Sequence, residues 1–124
     1  MMANASPEPE DALAVAELVR AQLAAFARDD AGSAYALTSP GIRARFRDAR
    51  TFMEMVREHY AIVCAPREVT FLEVVRVRGR LAQRLLFVGH EGDAAEALYF
   101  VRRMPDGTFR TDGCVLHERP LVSA

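Results

Sequence analysis

The side chains best suited to chemistry lie in two places. His59, Tyr60 and Cys64 follow one another closely near the middle of the chain. Thr111-Asp112-Gly113-Cys114 lies near its end. An imidazole at His59 could serve as a general acid or base, with the Tyr60 phenol as an oxyanion donor. Neighbours at i and i+1 on a helix point about 100° apart, so the two do not obviously converge. Alternatively, Tyr60 packs in the core and His59 compensates the negative end of a helix. Asp112 is unusual because a strand interior disfavours Asp. Facing inward beside Tyr35 or Tyr60, it would form a proton-transfer site. Facing outward, it would be a solvated charge paired with Arg102 or Arg110. Glu73 and Glu96 are the other acids inside the predicted strands, away from their ends. Cys114 has no activating group adjacent in sequence and reads as a small buried thiol.

Other constellations are weaker. Asp29-Asp30 could pair carboxylates, but adjacent acids at a helix break also act as caps. His59, His90 and His117 have no ligand-like spacing with one another or with the cysteines, so neither metal nor cofactor is expected. Arg43, Arg45, Arg47 and Arg50, with Arg76, Arg78, Arg80 and Arg84, offer either an anion-binding surface or a solvated face paired with Glu54, Glu58, Glu68 and Glu73. All 16 basic residues are arginine. The net charge of −1 gives no overall field to steer nucleic acid or an anionic membrane. That charge is uneven. Residues 1–41 carry two Arg against six acids, 42–84 ten against five, and 85–124 four against six.

The elements that must position these groups follow from periodicity. Ser6-Pro7-Glu8-Pro9-Glu10-Asp11 predicts a helix start, with Ser6 as cap and Pro7 first inside. Val15, Leu18, Val19, Leu23 and Phe26 then recur at helical spacing, predicting one helix from about Pro7 to Arg28. Asp30 or Ser33 caps a short second helix. Ser39-Pro40 opens a third, and Asp48 or Thr51 a fourth with Phe52, Met55, Val56 and Tyr60 on its apolar face. That helix should end near Tyr60, because Ile62 and Val63 are β-branched and Pro66 forces Ala65 to extend. The period then becomes two. Strands are predicted over 68–77, 81–88, 94–104 and 108–118, with Val69, Phe71, Val75 and Val77 on one face of the first. Arg78-Gly79 and Pro105-Asp106-Gly107 make the tight turns.

The prediction is a single α+β domain over residues 1–124, with helices on one face of a curved four-stranded antiparallel sheet. Residues 1–6 are expected to be disordered and 119–124 frayed. Cysteine usage, the lack of a secretory leader pattern and the lack of a long apolar run point to a cytoplasmic protein that engages neither membrane nor nucleic acid. Strands apolar on both faces suggest a homodimer.

The order of QLAAF, ALTSP, FMEMV with Tyr60, Asp106-Gly107 and Gly113-Cys114-Val115-Leu116 resembles a bacterial family known as domain of unknown function 4864. More distantly it resembles the nuclear transport factor 2-like superfamily, with its cystatin-like cone. That resemblance implies a long first helix laid across a bent sheet and a pocket at the open end of the cone. Expected lining residues are Phe26, Tyr35, Tyr60, Phe71, Phe87, Tyr99, Phe109 and Cys114, with Asp112 at the polar end. A mainly apolar cavity with few polar groups is the usual small-molecule site, so the expected function is binding of a small apolar or weakly acidic ligand. Two others remain open: an isomerase, dehydratase or hydrolase with Asp112 or His59 as base, and a protein-interaction module.

Overall fold

Proline placement sets where the first helix starts. A computed structural model describes residues 6–119, and in it α1 spans Pro9–Ala27, two residues later than the cap pattern predicts. Glu8 precedes Pro9 and is held extended (ψ 143°), so the helix cannot begin at Pro7 and Ser6 does not cap it. Glu10 and Asp11 complement the exposed N–H groups of the first turn. At the other end Asp29 takes a left-handed conformation (φ 60°). The N–H of Asp30 reaches Ala25 O at 2.9 Å and that of Asp29 reaches Phe26 O at 3.0 Å, closing a Schellman turn. Asp30 then caps α2 (Ala31–Ala36), its carboxylate accepting from the Ser33 N–H at 3.0 Å and the Ser33 hydroxyl at 2.7 Å. The two aspartates therefore build a corner. Asp29 pairs with Arg57 and Asp30 with Arg28.

Ser39 caps α3 (Pro40–Arg45), and Asp48, rather than Thr51, caps α4 (Ala49–His59). Beyond Tyr60 the chain makes one more helical turn, α5 (Ala61–Cys64), past the helix end that Ile62 and Val63 predict. Burial outweighs β-branching here, because that turn places Val63, 3% exposed, in the core. Ala65 then leaves the helical region ahead of Pro66 (φ −144°, ψ 62°), without reaching the fully extended backbone that the proline predicts.

The sheet is an antiparallel meander, β1 (Glu68–Val77), β2 (Arg80–Val88), β3 (Ala94–Arg103) and β4 (Phe109–Arg119), in spatial order β1-β2-β3-β4. Arg78 (φ 51°) and Gly79 (φ 82°) form the two-residue turn, both with the positive φ that matches strand twist. Two bulges bend the sheet. One lies between Phe71 and Val74; the other lies between Tyr99 and Val101, opposite Asp112-Gly113, where Gly113 takes φ 116°. The first bulge reverses the alternation of β1. Val69 and Phe71 pack inward as expected, but Val74 takes the next inward place, so Val75 and Val77 fall on the other face. Arg119 ends β4 opposite Ala94 and pairs with Glu96, so the strand runs one residue into the expected frayed tail. The rest of that tail, and residues 1–5, lie outside the described residues.

The helices cover the concave face. Leu85, Phe87, Ala97 and Tyr99 meet Val19, Phe26, Phe52, Val56 and Val63 in the main core. Each fully buried Leu or Phe contributes about 1.5–3 kcal/mol. A smaller core of Val15, Leu81 and Val101, with Phe109 against it, closes the other end. On the convex face an ion-pair chain crosses all four strands: Glu73 to Arg84 at 2.6 Å, Arg84 to Glu96 at 3.7 Å, and Glu96 to Arg119.

The Asp30 cap carries a pH signature. The Ser33 hydroxyl, the Ser33 N–H and Arg28 hold its carboxyl below the ordinary carboxylate range. A group whose folded pKa is lowered stabilises the fold above its unfolded pKa and ceases to do so as pH falls through the folded value. Asp30→Ala should therefore lower the urea midpoint at pH 7, with the gap from wild type closing below about pH 4. A gap equal at pH 7 and pH 3 would refute the role.

Candidate functional site

Between the helices and the concave face lies a cavity of about 190 Å³. Its helical wall is Phe52, Met55 and Val56 of α4, continued by Tyr60 and Val63. Gln22 and Phe26 of α1 close one side, Ile42, Arg45 and Phe46 another. The sheet supplies Tyr99, Thr111, Gly113 and Cys114. Aromatic packing braces the wall: Phe52 meets Phe26, Tyr35 and Phe46 with ring centroids 5.6–6.2 Å apart.

The polar groups in the depth of the cavity are already bonded to protein. The Tyr99 hydroxyl donates to Gln22 Oε1, and Gln22 Nε2 donates to the Ala34 carbonyl at 2.8 Å. Thr38 donates to Tyr35 O at 2.6 Å and Thr111 to Leu37 O at 3.2 Å. Backbone bonds between Thr111 and Leu37, and between Ser39 and Thr111, both 2.8 Å, tie the α2–α3 link to β4 at the second bulge. Burial raises Tyr99 well above the usual phenol value, and the thiols of Cys114 and Cys64 add to it. Burial likewise pushes Cys114 up to about 12, so it stays a protonated thiol at neutral pH. Cys64 is raised by burial and partly offset by Arg57. The interior is thus uncharged at neutral pH.

Four of the eight expected lining residues, Phe26, Tyr60, Tyr99 and Cys114, stand on the cavity wall. The other four stand elsewhere. Tyr35 lies behind the wall, its ring on Phe52 and its hydroxyl donating to Phe46 O at 2.7 Å. Phe87 is fully buried in the core. Phe71 packs beneath the Arg20 guanidinium, 4.2 Å from its ring centroid. Phe109 belongs to the smaller core, under Arg103.

Asp112 does not reach the cavity. It accepts from Ser39 Oγ at 2.5 Å and from Arg80 Nη2 at 3.0 Å, so its partner is Arg80 and not Arg102 or Arg110. The bulge accounts for this, because the extra residue turns Asp112 away from the face that Thr111 and Cys114 share. His59 is exposed at the end of α4, beside Glu58, in an open groove that adjoins the cavity at Met55, Tyr60 and Cys114 and also holds His117 and Glu118. Neither candidate base lines the cavity, and neither does any other carboxylate or imidazole among the described residues.

Gln22 was missed as a site residue. Its signal was present, since it falls on the buried stripe of Val15, Val19 and Phe26, and a buried amide on an apolar stripe needs partners. The sequence distinguishes Arg45 only as one member of a basic cluster. Its neighbours are engaged: Arg43 donates to Ala36 O at 2.6 Å, Arg47 pairs with Asp48 and Arg50 with Glu54. Arg45 has no such partner among the described residues and lines the cavity.

Among the described residues no three His, Cys, Asp or Glu side chains gather as a metal site requires, and no helix is long and apolar enough to cross a membrane. Compared with known families, residues 8–124 match the model described as Domain of unknown function (DUF4864). No curated protein and no solved structure was found to match.

Tyr99→Phe should lower stability by about 1–3 kcal/mol, because Gln22 Oε1 is left buried without its donor. Tyr60→Phe, which breaks no protein hydrogen bond among the described residues, should change it little. Urea denaturation of the two variants distinguishes them, and equal effects would show that the Tyr99–Gln22 bond is not what holds the cavity floor.

Proposed function

Because the chain belongs to the family described as Domain of unknown function (DUF4864), a description that names no activity, we propose its function from the cavity: a bacterial cytoplasmic protein that binds a small, mainly apolar molecule. The observation that carries this is an apolar cavity of about 190 Å³ whose deep polar groups are already bonded within the protein. Such a lining offers dispersion and water release but no further hydrogen bond at depth, which selects an apolar body. An apolar cavity of about 150 Å³ takes up benzene, so a six-membered ring with one or two substituents is the right scale. Proton transfer needs a base over the ligand, and both Asp112 and His59 stand outside the cavity. The fold is read as a nuclear transport factor 2-like cone, on the support of a long helix over a bent sheet with the cavity between them.

We take the working unit to be a homodimer joined through the convex face. Leu86, Leu98 and Val115 share that face with the ion-pair chain, and Val115 is 57% exposed. Light scattering at micromolar concentration should give twice the chain mass; a monomer would remove this part of the reading.

The binding itself is tested with benzene, toluene and indole as probes. A ligand bound only by the folded state raises stability by about 2.7 kcal/mol at a hundred times its dissociation constant. At least one probe should raise the melting temperature of the native chain, and Met55→Trp, which fills the cavity wall, should remove the effect. No rise with any of the three would overturn the proposal.

A further inference from the structure

We infer that the ligand is a small monocarboxylic acid, seated with its apolar body in the cavity and its carboxylate at the mouth on Arg45. This rests on the cavity-binding reading and names the chemistry of its occupant. Arg45 is the one charged side chain on the wall among the described residues, and it is exposed to solvent while the depth is neutral. A guanidinium already paired would be structural, as Arg43, Arg50 and Arg84 are. Arg45 sits in the same basic stretch yet keeps its donors free among the described residues. Its planar fork suits a carboxylate bidentately.

Two neighbouring features agree with this. The Tyr60 hydroxyl, also on the wall, has no protein partner among the described residues and can donate to a second carboxylate lone pair. Beyond Tyr60 the cavity adjoins an open groove with His59, His117 and Glu118, so a charged end seated beside Tyr60 keeps access to solvent. A dianion would leave its second charge without a cation on the wall, so one carboxylate is what the site matches.

Benzoate and benzyl alcohol share a ring and differ in charge, and titration calorimetry of the full chain at pH 7 and low salt compares them. Benzoate should bind the native chain about tenfold tighter than the alcohol. Arg45→Gln should weaken benzoate binding about tenfold more than alcohol binding and so erase that preference, and Arg45→Lys should restore part of it. Arg45 is exposed, so the variants should fold, which circular dichroism verifies. Equal affinity for the two probes in the native chain, or a loss on Arg45→Gln that is the same for both, would overturn the acid assignment and leave the cavity reading standing. Failure of both probes to bind the native chain would overturn the two together.

Discussion

A sheet bent by two bulges has a concave face that one straight helix cannot fill. α1 crosses it and seals the end nearest Val15, Leu81 and Val101. At the other end the strands curve away, and α4 and α5 must be brought in to cover Leu85, Phe87 and Tyr99. The α2–α3 link that precedes them is held to β4 by a strand-like join, made by Leu37, Ser39 and Thr111 beside the bulge. Close packing normally leaves few voids larger than a water molecule. Here a void of about 190 Å³ remains, because a curved surface and short straight rods do not share a shape.

The electrostatics of that space follow from the same geometry. Tyr99, Gln22, Thr38 and Thr111 are polar groups in a low-dielectric place, and an unpaired polar atom there is costly. Each is bonded to another part of the protein, so the interior is neutral without being greasy throughout. The second bulge decides the fate of the one acid nearby. By turning Asp112 toward Ser39 and Arg80, it makes a carboxylate that could have been a base into a tie between α3, β2 and β4.

Charges on the outside are arranged by pairing rather than by a field. The basic stretch from 42 to 84 looks like an anion surface when its residues are counted. In the fold most of those arginines meet acids or carbonyls, and Arg80 lies over Phe100 with 4.2 Å to the ring centroid. Arg45 differs from its neighbours through its position at the cavity mouth, which no count of charges reveals.

Local physics accounts for what was legible in the sequence. The Ser39 cap, the cap pairs Asp30 or Ser33 and Asp48 or Thr51, the turns at Arg78-Gly79 and Gly107, and the change of period after Pro66 are set by neighbours a few residues apart, so they read directly, while the structure chooses Asp30 and Asp48 within their pairs. They were enough for the α+β class and the curved meander. The first helix start was misplaced because two prolines compete and the restriction on Glu8 outweighs a serine cap. The cavity was legible only as a region. Which face a strand residue takes depends on bulges, and a single extra residue at 71–74 or opposite Phe100 moves everything beyond it to the other side. Periodicity alone therefore could not separate Cys114 from Asp112, or Tyr99 from Phe109. Tertiary packing decided that Phe87 fills the core and Tyr35 braces the wall, that Gln22 anchors the floor, and that Arg45 alone among the charged residues described stands at the door.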